Sequence, residues 1–392
     1  MNSKTIVLLA LLIGFASCKN ESSIKMEDNQ TKIAKPESYK YEGTPLRIGV
    51  VGLVHTHVHW ILGREKIGDI EIVGIVEPNR KLAKKYSEQH GYSMDIVFNS
   101  IDEMVKATNP EAVTDFGTIY GHLATVEYCA PKGIHVMVEK PLAVNMNHAN
   151  KMIHLAKQHN IQLLTNYETS WHKSVNEAFR VIENNTIGTV RKVEFYTGHP
   201  GPIEIGCNPE FLEWLTDPVL NGGGALTDFG CYGANIATAI SKGKTPNTVF
   251  CKTQQIKPDS YPKVEDDATV ILNYDDGTQV VIQASWNWPY NRKDMDIYGQ
   301  TGTIRCFTNH EMDLMTKEED GFKHIDVPEV RKGIHDPFAM LNEVIKGDYQ
   351  LPAFDVSSVE NNEIVMQILE AAKQSAMTGE VVKWDQFFKN AK

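Results

Sequence analysis

Between Leu46 and Glu139 the chain alternates short β-rich apolar runs with helical segments of roughly ten residues, a rhythm that few folds accommodate. Leu46-Arg-Ile-Gly-Val-Val-Gly52 predicts a first strand, a helix follows from about His57 to Lys66, and Ile70-Glu-Ile-Val-Gly-Ile-Val76 predicts a second strand. A helix opening near Lys81, a strand at 95–98, a helix at 101–106, a strand at 112–117, a helix at 121–132 and a strand at 134–138 continue the pattern. Strands joined by helical crossovers cannot pair as hairpins, so they lie parallel with helices on both faces. In such doubly wound sheets ligands bind outside the carboxyl ends of the strands.

The 392 residues suffice for two domains, and 42% hydrophobic with 23% charged residues is the balance of a globular protein. A net charge of −11 with no dominant basic patch argues against nucleic acid as a partner and leaves small molecules. The amino terminus stands apart. Lys4, an apolar run from Ile6 to Phe15 and then Ala16-Ser17-Cys18 make a secretory signal too short for a comfortable membrane span. Small residues directly before Cys18 resemble a bacterial lipoprotein box, with Cys18 as the lipidated residue and the only membrane attachment. Residues 19–44 read as a polar tether. Cys129, Cys207, Cys231, Cys251 and Cys306 are odd in number and lack CxxC spacing, so neither a disulfide framework nor a zinc site is signalled.

At the carboxyl edge of the parallel sheet three features stand out. The strand Gly133-Ile-His-Val-Met-Val-Glu139 runs into Lys140-Pro141, and Pro141 biases the lysine towards extended backbone. Alone, Lys140 could equally be a surface residue before a proline turn. Glu77 follows Gly52 by 25 positions, at the end of the second strand. A carboxylate there accepts hydrogen bonds from a ribose and repels a 2′-phosphate, which favours NAD, while Arg80 leaves room for NADP. Of a G-x-G-x-x-G fingerprint only Gly52 is present, with Val54 and His57 at the other positions. The run His55-Thr56-His57-Val58-His59 would put His55 and His59 on one helix face, but no third metal ligand is indicated, and no metal is expected. Imidazoles and amides lining a phosphate turn, or simple packing, are the other readings.

His122, lying 17 residues before Glu139, and Glu139-Lys140-Pro141 together with Gly222-Gly-Gly-Ala-Leu-Thr-Asp228-Phe-Gly230-Cys-Tyr232 resemble the Gfo/Idh/MocA family of sugar and polyol oxidoreductases. Val264-Glu265-Asp266-Asp267, Asn273-Tyr-Asp-Asp-Gly277 and Tyr298-Gly299-Gln-Thr-Gly302 extend the resemblance, which runs from about residue 46 to near 385. Tyr232 stands where the family commonly has histidine, and this variant is similar to the branch containing glucose-fructose oxidoreductase and dihydrodiol dehydrogenase. The resemblance implies an NAD(P)-binding Rossmann domain over 45–165. It also implies an α+β domain over 166–392, whose large, mainly antiparallel open-faced sheet serves substrate binding and homo-oligomerisation. A carboxy-terminal helix is expected to return to the first domain. Residue patterns agree: Asp275-Asp276-Gly277 reads as a hairpin turn, Val280, Ile282, Ala284 and Trp286 alternate as a strand face, and 357–377 is helical with Gly379 placed to end it.

The resemblance assigns Lys140, Tyr232 and Asp228 to catalysis, with burial and a cofactor cation depressing the lysine pKa. Gly52, Val54, His55, Thr56, Glu77, Arg80, Thr118, His122, Glu139 and Lys140 would hold the cofactor. Lys140, Tyr167, His199, Asp228 and Tyr232 would meet the substrate. Blander roles stay open: a tight loop for 222–224, an N-cap for Asp228, packing for Tyr232 and His122, and a rigid loop around His199. Trp286, Trp288 and Tyr290 could stack on sugar rings or pack the strand. An exported enzyme has no abundant nicotinamide pool, so the cofactor is expected to stay bound. Two chemistries fit that: net oxidation of a sugar or oligosaccharide hydroxyl during glycan breakdown, and a redox-neutral cleavage, elimination or epimerisation through a keto-sugar. The third reading is a sugar-binding lipoprotein with a vestigial cofactor site.

Overall fold

The computed structural model describes residues 41–329 and 333–389, so the signal segment, Cys18 and nearly all of the tether lie outside the described residues. Among them, no helix is long and apolar enough to cross a membrane. The first sheet contains β1 (Leu46–Val51), β2 (Ile70–Val76), β3 (Val97–Phe98), β4 (Ala112–Asp115), β5 (His135–Glu139) and β6 (Leu163–Asn166). Its order is β3-β2-β1-β4-β5-β6, all parallel. Chain direction across the sheet reverses at β1, so the carboxyl ends of β1 and β4 open the crevice where a ligand lies. Leu46, Ile48 and Val50 are fully buried on β1, each contributing roughly 1.5–3 kcal/mol of burial.

The crossovers are α1 (Val58–Leu62), α2 (Arg80–His90), α3 (Ile101–Thr108), α4 (His122–Cys129) and α5 (Met146–His159). Two expectations needed correction. The first helix is much shorter than 57–66, because past Gly63 the Arg64 guanidinium is drawn into ion pairs with Asp69 and Asp336. The expected strand at 95–98 is mostly a 3₁₀ turn at Met94–Ile96, capped by the Ser93 hydroxyl, with only Val97–Phe98 paired.

After α6 (Lys173–Glu183) comes β7 (Val190–Gly198), then α7 (Pro209–Leu215), α8 (Cys231–Ile240), β8 (Thr248–Gln254), β9 (Asp267–Asn273), β10 (Gln279–Ser285) and β11 (Arg292–Gly299). The chain continues through β12 (Gly302–Cys306), β13 (Glu311–Thr316), β14 (Lys323–Asp326), α9 (Pro337–Lys346), α10 (Val359–Thr378), β15 (Val382–Lys383) and α11 (Trp384–Lys389). The nine strands order as β14-β13-β12-β11-β7-β10-β9-β8-β15, antiparallel throughout except for β7 beside β10. The hairpin at 275–277 joins β9 to β10, with Gly277 at φ 81°. Helix α10 starts on the Ser358 cap, ends at Gly379 in the left-handed region, and packs on α5, α8 and β8. Sequence reading missed α9, whose Phe338, Met340, Leu341 and Val344 complete the core of the parallel sheet beside Leu46 and Ile48.

Candidate active site

The carboxyl ends of β5 and β6 deliver Glu139, Lys140 and Asn166, and all three are buried. From the second domain comes Asp228, in a π-helical turn over Leu226–Gly230 that runs directly into α8. Such turns are rare and concentrate at functional sites. This one is anchored by the preceding glycines. The Gly224 and Leu226 amides donate to Glu265 Oε1, and a Cβ on Gly224 would meet the Glu265 carbonyl at 1.9 Å. The Lys140 ammonium donates to Asp228 Oδ1 at 2.5 Å and to the Asp228 carbonyl at 3.1 Å. Trp286 Nε1 donates to Asp228 Oδ2 at 3.0 Å, so this tryptophan fixes the carboxylate rather than stacking on a sugar. Asp228 is therefore not a helix cap.

Burial disfavours the charged form of each partner, but their mutual attraction outweighs it: the Lys140 pKa is raised and that of Asp228 lowered. Burial lowers the lysine pKa as expected, and Asp228 opposes it. Tyr232 is also buried. Its ring centroid lies 5.1 Å from the Lys140 ammonium and 5.3 Å from that of Lys293. Burial and then the Glu168 carboxylate push its phenol well above the ordinary value. The resting site thus presents an ammonium and a phenol, two proton donors, around a cavity of about 440 Å³.

His199 lines this cavity. Its Nδ1 accepts the Gly201 amide at 2.9 Å, leaving the proton on Nε2, and burial brings its pKa down to about 4. Tyr167, expected to meet substrate, is fully buried with its hydroxyl unpartnered. It packs edge-on against Tyr232 at 5.6 Å and acts as a brace. His122 is likewise turned away from the cleft, with Nδ1 against the Leu142 carbonyl at 3.1 Å. Thr118 caps the turn before α4 by accepting the Gly121 amide. Arg80 is exposed and donates to the Val97 carbonyl at 3.0 Å, which ties it to β3.

The histidine run folds differently from its helical reading. His55 precedes α1, and His59 pairs instead with His90, Nδ1 to Nε2 at 2.8 Å. His55 and His57 turn towards Glu139, and their ligand atoms and the carboxylate lie within 4.8 Å of one another, a third partner that spacing did not indicate. The His57 amide donates to His55 Nδ1 at 3.1 Å, so in this fold His55 keeps its proton on Nε2, the atom a metal would need. His57 Nδ1 lies 2.9 Å from Glu139 Oε2, and Asn166 Nδ2 donates to Oε1 at 2.7 Å. Burial pushes the Glu139 carboxyl up, but His57, His55 and Asn166 outweigh it and bring it down to about 2. Sequence reading missed Glu168, which pairs with Lys293 and faces His57 Nε2 at 4.0 Å and His172 Nε2 at 3.8 Å. The strand-end rule that singled out Lys140 also covers Asn166 and Glu168, just past β6.

The model of an oxidoreductase family with an NAD-binding Rossmann fold matches residues 46–167, and that of the GFO/IDH/MocA C-terminal domain matches 175–305. The chain belongs to the Gfo/Idh/MocA family. It is an oxidoreductase of this NAD(P)-dependent sugar and polyol dehydrogenase family, with an NAD-binding Rossmann domain. Over 279 residues it is 23% identical to myo-inositol 2-dehydrogenase of Thermotoga maritima, covering 70% of this chain and 79% of the relative. Over 218 residues it is 25% identical to a trans-1,2-dihydrobenzene-1,2-diol dehydrogenase of Xenopus tropicalis, covering 55% of this chain and only 61% of the relative's length. Among solved structures, aldose-aldose oxidoreductase of Caulobacter crescentus superimposes with a TM-score of 0.71 at 20% identity, covering 86% of this chain and 99% of that one. An inositol dehydrogenase homologue of Azotobacter vinelandii complexed with NAD+ gives 0.75 at 18%, covering 88% and 99%. At these identities the structural likeness speaks for the fold.

The family's cofactor fits the residues present. Gly52 has φ 75°, and a Cβ there would lie 2.6 Å from the Gly117 amide nitrogen, so the turn beneath a pyrophosphate admits no side chain. Val54 and Thr56 are half-buried in that turn. Glu77 closes β2 and accepts the Leu53 and Asn79 amides at 3.1 and 2.8 Å. Over the turn lies α7, with Phe211 and Trp214 packed on His55 at 5.2 and 5.6 Å and Asn208 donating to the Tyr86 hydroxyl at 3.0 Å.

Proposed function

We propose that this Gfo/Idh/MocA protein is an exported lipoprotein, anchored at Cys18 and facing the periplasm or the cell surface. It would act on a hydroxyl of a sugar or oligosaccharide in glycan breakdown, with NAD held through the whole cycle. The observation that carries the reading is the buried Lys140–Asp228 pair beside Tyr232, opening on a polar cavity that the second domain closes. Bound nicotinamide supplies the acceptor and donor of hydride at a sugar carbon. Lys140 and Tyr232, both protonated at rest, suit donation of a proton to a carbonyl oxygen. The reverse path carries the hydroxyl proton away during oxidation. Sugar-type substrates of the relatives, and a cavity of a size suited to one or two rings, support the substrate class. The open face of the nine-stranded sheet would mediate homo-oligomerisation.

The test is to recover wild-type protein from the membrane fraction and Cys18→Ala from the soluble fraction, denature both, and assay the supernatants for nicotinamide. Stoichiometric nicotinamide that changes absorbance when sugars are added is expected. Folded protein that neither carries nor takes up NAD(H) would leave a sugar-binding module instead. Lys140→Ala should abolish the absorbance change, and retained turnover would remove Lys140 from the chemistry.

A second, redox-neutral reading is favoured by one observation: His57, backed by the buried Glu139 carboxylate, lines the same cavity.

A further inference from the structure

We infer that His57, standing where the fingerprint's third glycine would be, is the carbon base of this site, removing a proton from the C–H beside a sugar ketone. The inference rests on the redox-neutral reading above and specifies its proton acceptor.

Hydrogen bonding around the cavity singles this imidazole out. A carboxylate oxygen accepts hydrogen bonds, so Glu139 accepts from the proton on His57 Nδ1, and the neutral form of this ring carries its lone pair on Nε2. The direction is enforced from behind, since Trp171 Nε1 donates to Asn166 Oδ1 at 2.9 Å and thereby turns the Asn166 amide towards Glu139. His172 also lines the cavity, with Nε2 3.8 Å from Glu168, and the remaining two imidazoles, His55 and His199, have Nδ1 occupied by a backbone amide. Both offer an N–H. Of His55, His57 and His199, His57 alone offers a lone pair.

The surroundings also suit the cation that proton uptake creates. The imidazole stacks on Trp60 at 3.8 Å with 14° between planes, and its Nε2 faces Glu168. Two carboxylates therefore flank the charge that forms on His57, an arrangement resembling other carboxylate–imidazole bases. The same cavity is lined by the groups the intermediate needs. As Nε2 takes the proton, the C–H electron pair becomes the enolate C=C and the carbonyl electrons move to oxygen, where the Lys140 ammonium and Tyr232 phenol stabilise the charge. Return of a solvent proton to carbon from the opposite face, with the imidazolium giving its own proton to solvent, gives the epimer. Expulsion of a β-oxygen substituent, which takes the proton from the imidazolium, gives an enone and an alcohol. Both leave the electron count of substrate and protein unchanged. At position 57 the backbone is αR, with φ −65°, so histidine is accommodated without strain.

The experiment supplies ketones directly and so bypasses hydride transfer. With 1,5-anhydro-D-fructose or 2-keto-myo-inositol in D₂O, wild-type protein is expected to exchange the C–H next to the carbonyl well above the protein-free rate, read by NMR. His57→Gln should lower that rate by about 10²–10⁴-fold. His57→Gly, which restores the fingerprint residue, should recover exchange when free imidazole is added, a response that a merely structural role would not give. Wild-type protein that does not accelerate exchange, or a folded His57→Gln that exchanges at the wild-type rate, would overturn the inference. Hydride transfer is read separately on wild-type protein from nicotinamide absorbance, so failure of the oxidoreductase reading is seen apart from failure of this one.

Discussion

Glu139 illustrates how much a single buried side chain can carry. Its carboxylate is enclosed, yet it accepts from Asn166 and faces two imidazoles, and the net effect brings its pKa to about 2 from an ordinary 4.5. Because the folded value lies below the unfolded one, the fold binds this proton more weakly than the unfolded chain does. The stabilisation is therefore complete above about pH 4.5 and is lost as pH falls towards 2. It amounts to something on the order of 3 kcal/mol. Glu139→Gln should melt at a lower temperature than wild type at neutral pH and lose much of the acid-side slope between those limits. Parallel slopes for the two proteins would show that the carboxylate is not the titrating group. Lys140 and Glu139 were legible because a strand end before proline has a defined direction. The resemblance also singled out Asp228, but its pairing with Lys140 was not legible, since the two lie 88 positions apart and only the fold reports their 2.5 Å contact.

At the scale of elements, α7 covers the phosphate turn of the first domain. It belongs to the second domain, but Phe211 and Trp214 bury His55 on the phosphate turn, and the Asn208 amide holds Tyr86 of α2. Phe211 and Trp214 also pack on each other at 5.0 Å. Truncating a buried aromatic removes about 3–5 kcal/mol of such packing and uncovers the turn. Trp214→Ala should accordingly lose its nicotinamide on repeated gel filtration under conditions where wild type retains it, with retention measured in the denatured supernatant. Equal retention would assign α7 to packing alone. This element was hidden in the sequence. Pro209 and Asn208 mark a helix start, and Asn208 Oδ1 does cap it by accepting the Phe211 amide, but capping says nothing of what the helix covers. The π turn at 226–230 was equally invisible, because it depends on the Glu265 carboxylate reaching back to two amides around 40 positions earlier.

For the whole molecule, periodicity had different power in the two halves. The parallel sheet was readable because its strands are short, largely apolar runs and each crossover is local. In the second sheet, alternation gave the faces of β9 and β10 but not the neighbours, and β7 lies parallel to β10 through a connection of some 80 residues. Alternation also divides the sheet into a face against the helices, carrying Val193, Phe195, Ile282 and Ile297, and an outer face. On that outer face, Glu194 pairs with Lys192 and accepts the Tyr196 hydroxyl, while Arg292 lies 4.3 Å from the Tyr196 ring centroid and pairs with Asp294. Half-buried side chains of mixed polarity over nine strands suit a self-complementary contact, in which each group meets its equivalent across a two-fold axis. Tyr196 lies centrally, with Asp294 as its register partner. Tyr196→Glu would set three carboxylates together and repeat them across the contact, where like charges cost several kcal/mol. Sedimentation should give an oligomer for wild type and a monomer for Tyr196→Glu, with the melting free energy of the monomer within about 1 kcal/mol of wild type, since the position is off the core. A wild-type protein that sediments as a monomer at micromolar concentration would leave this face with another use.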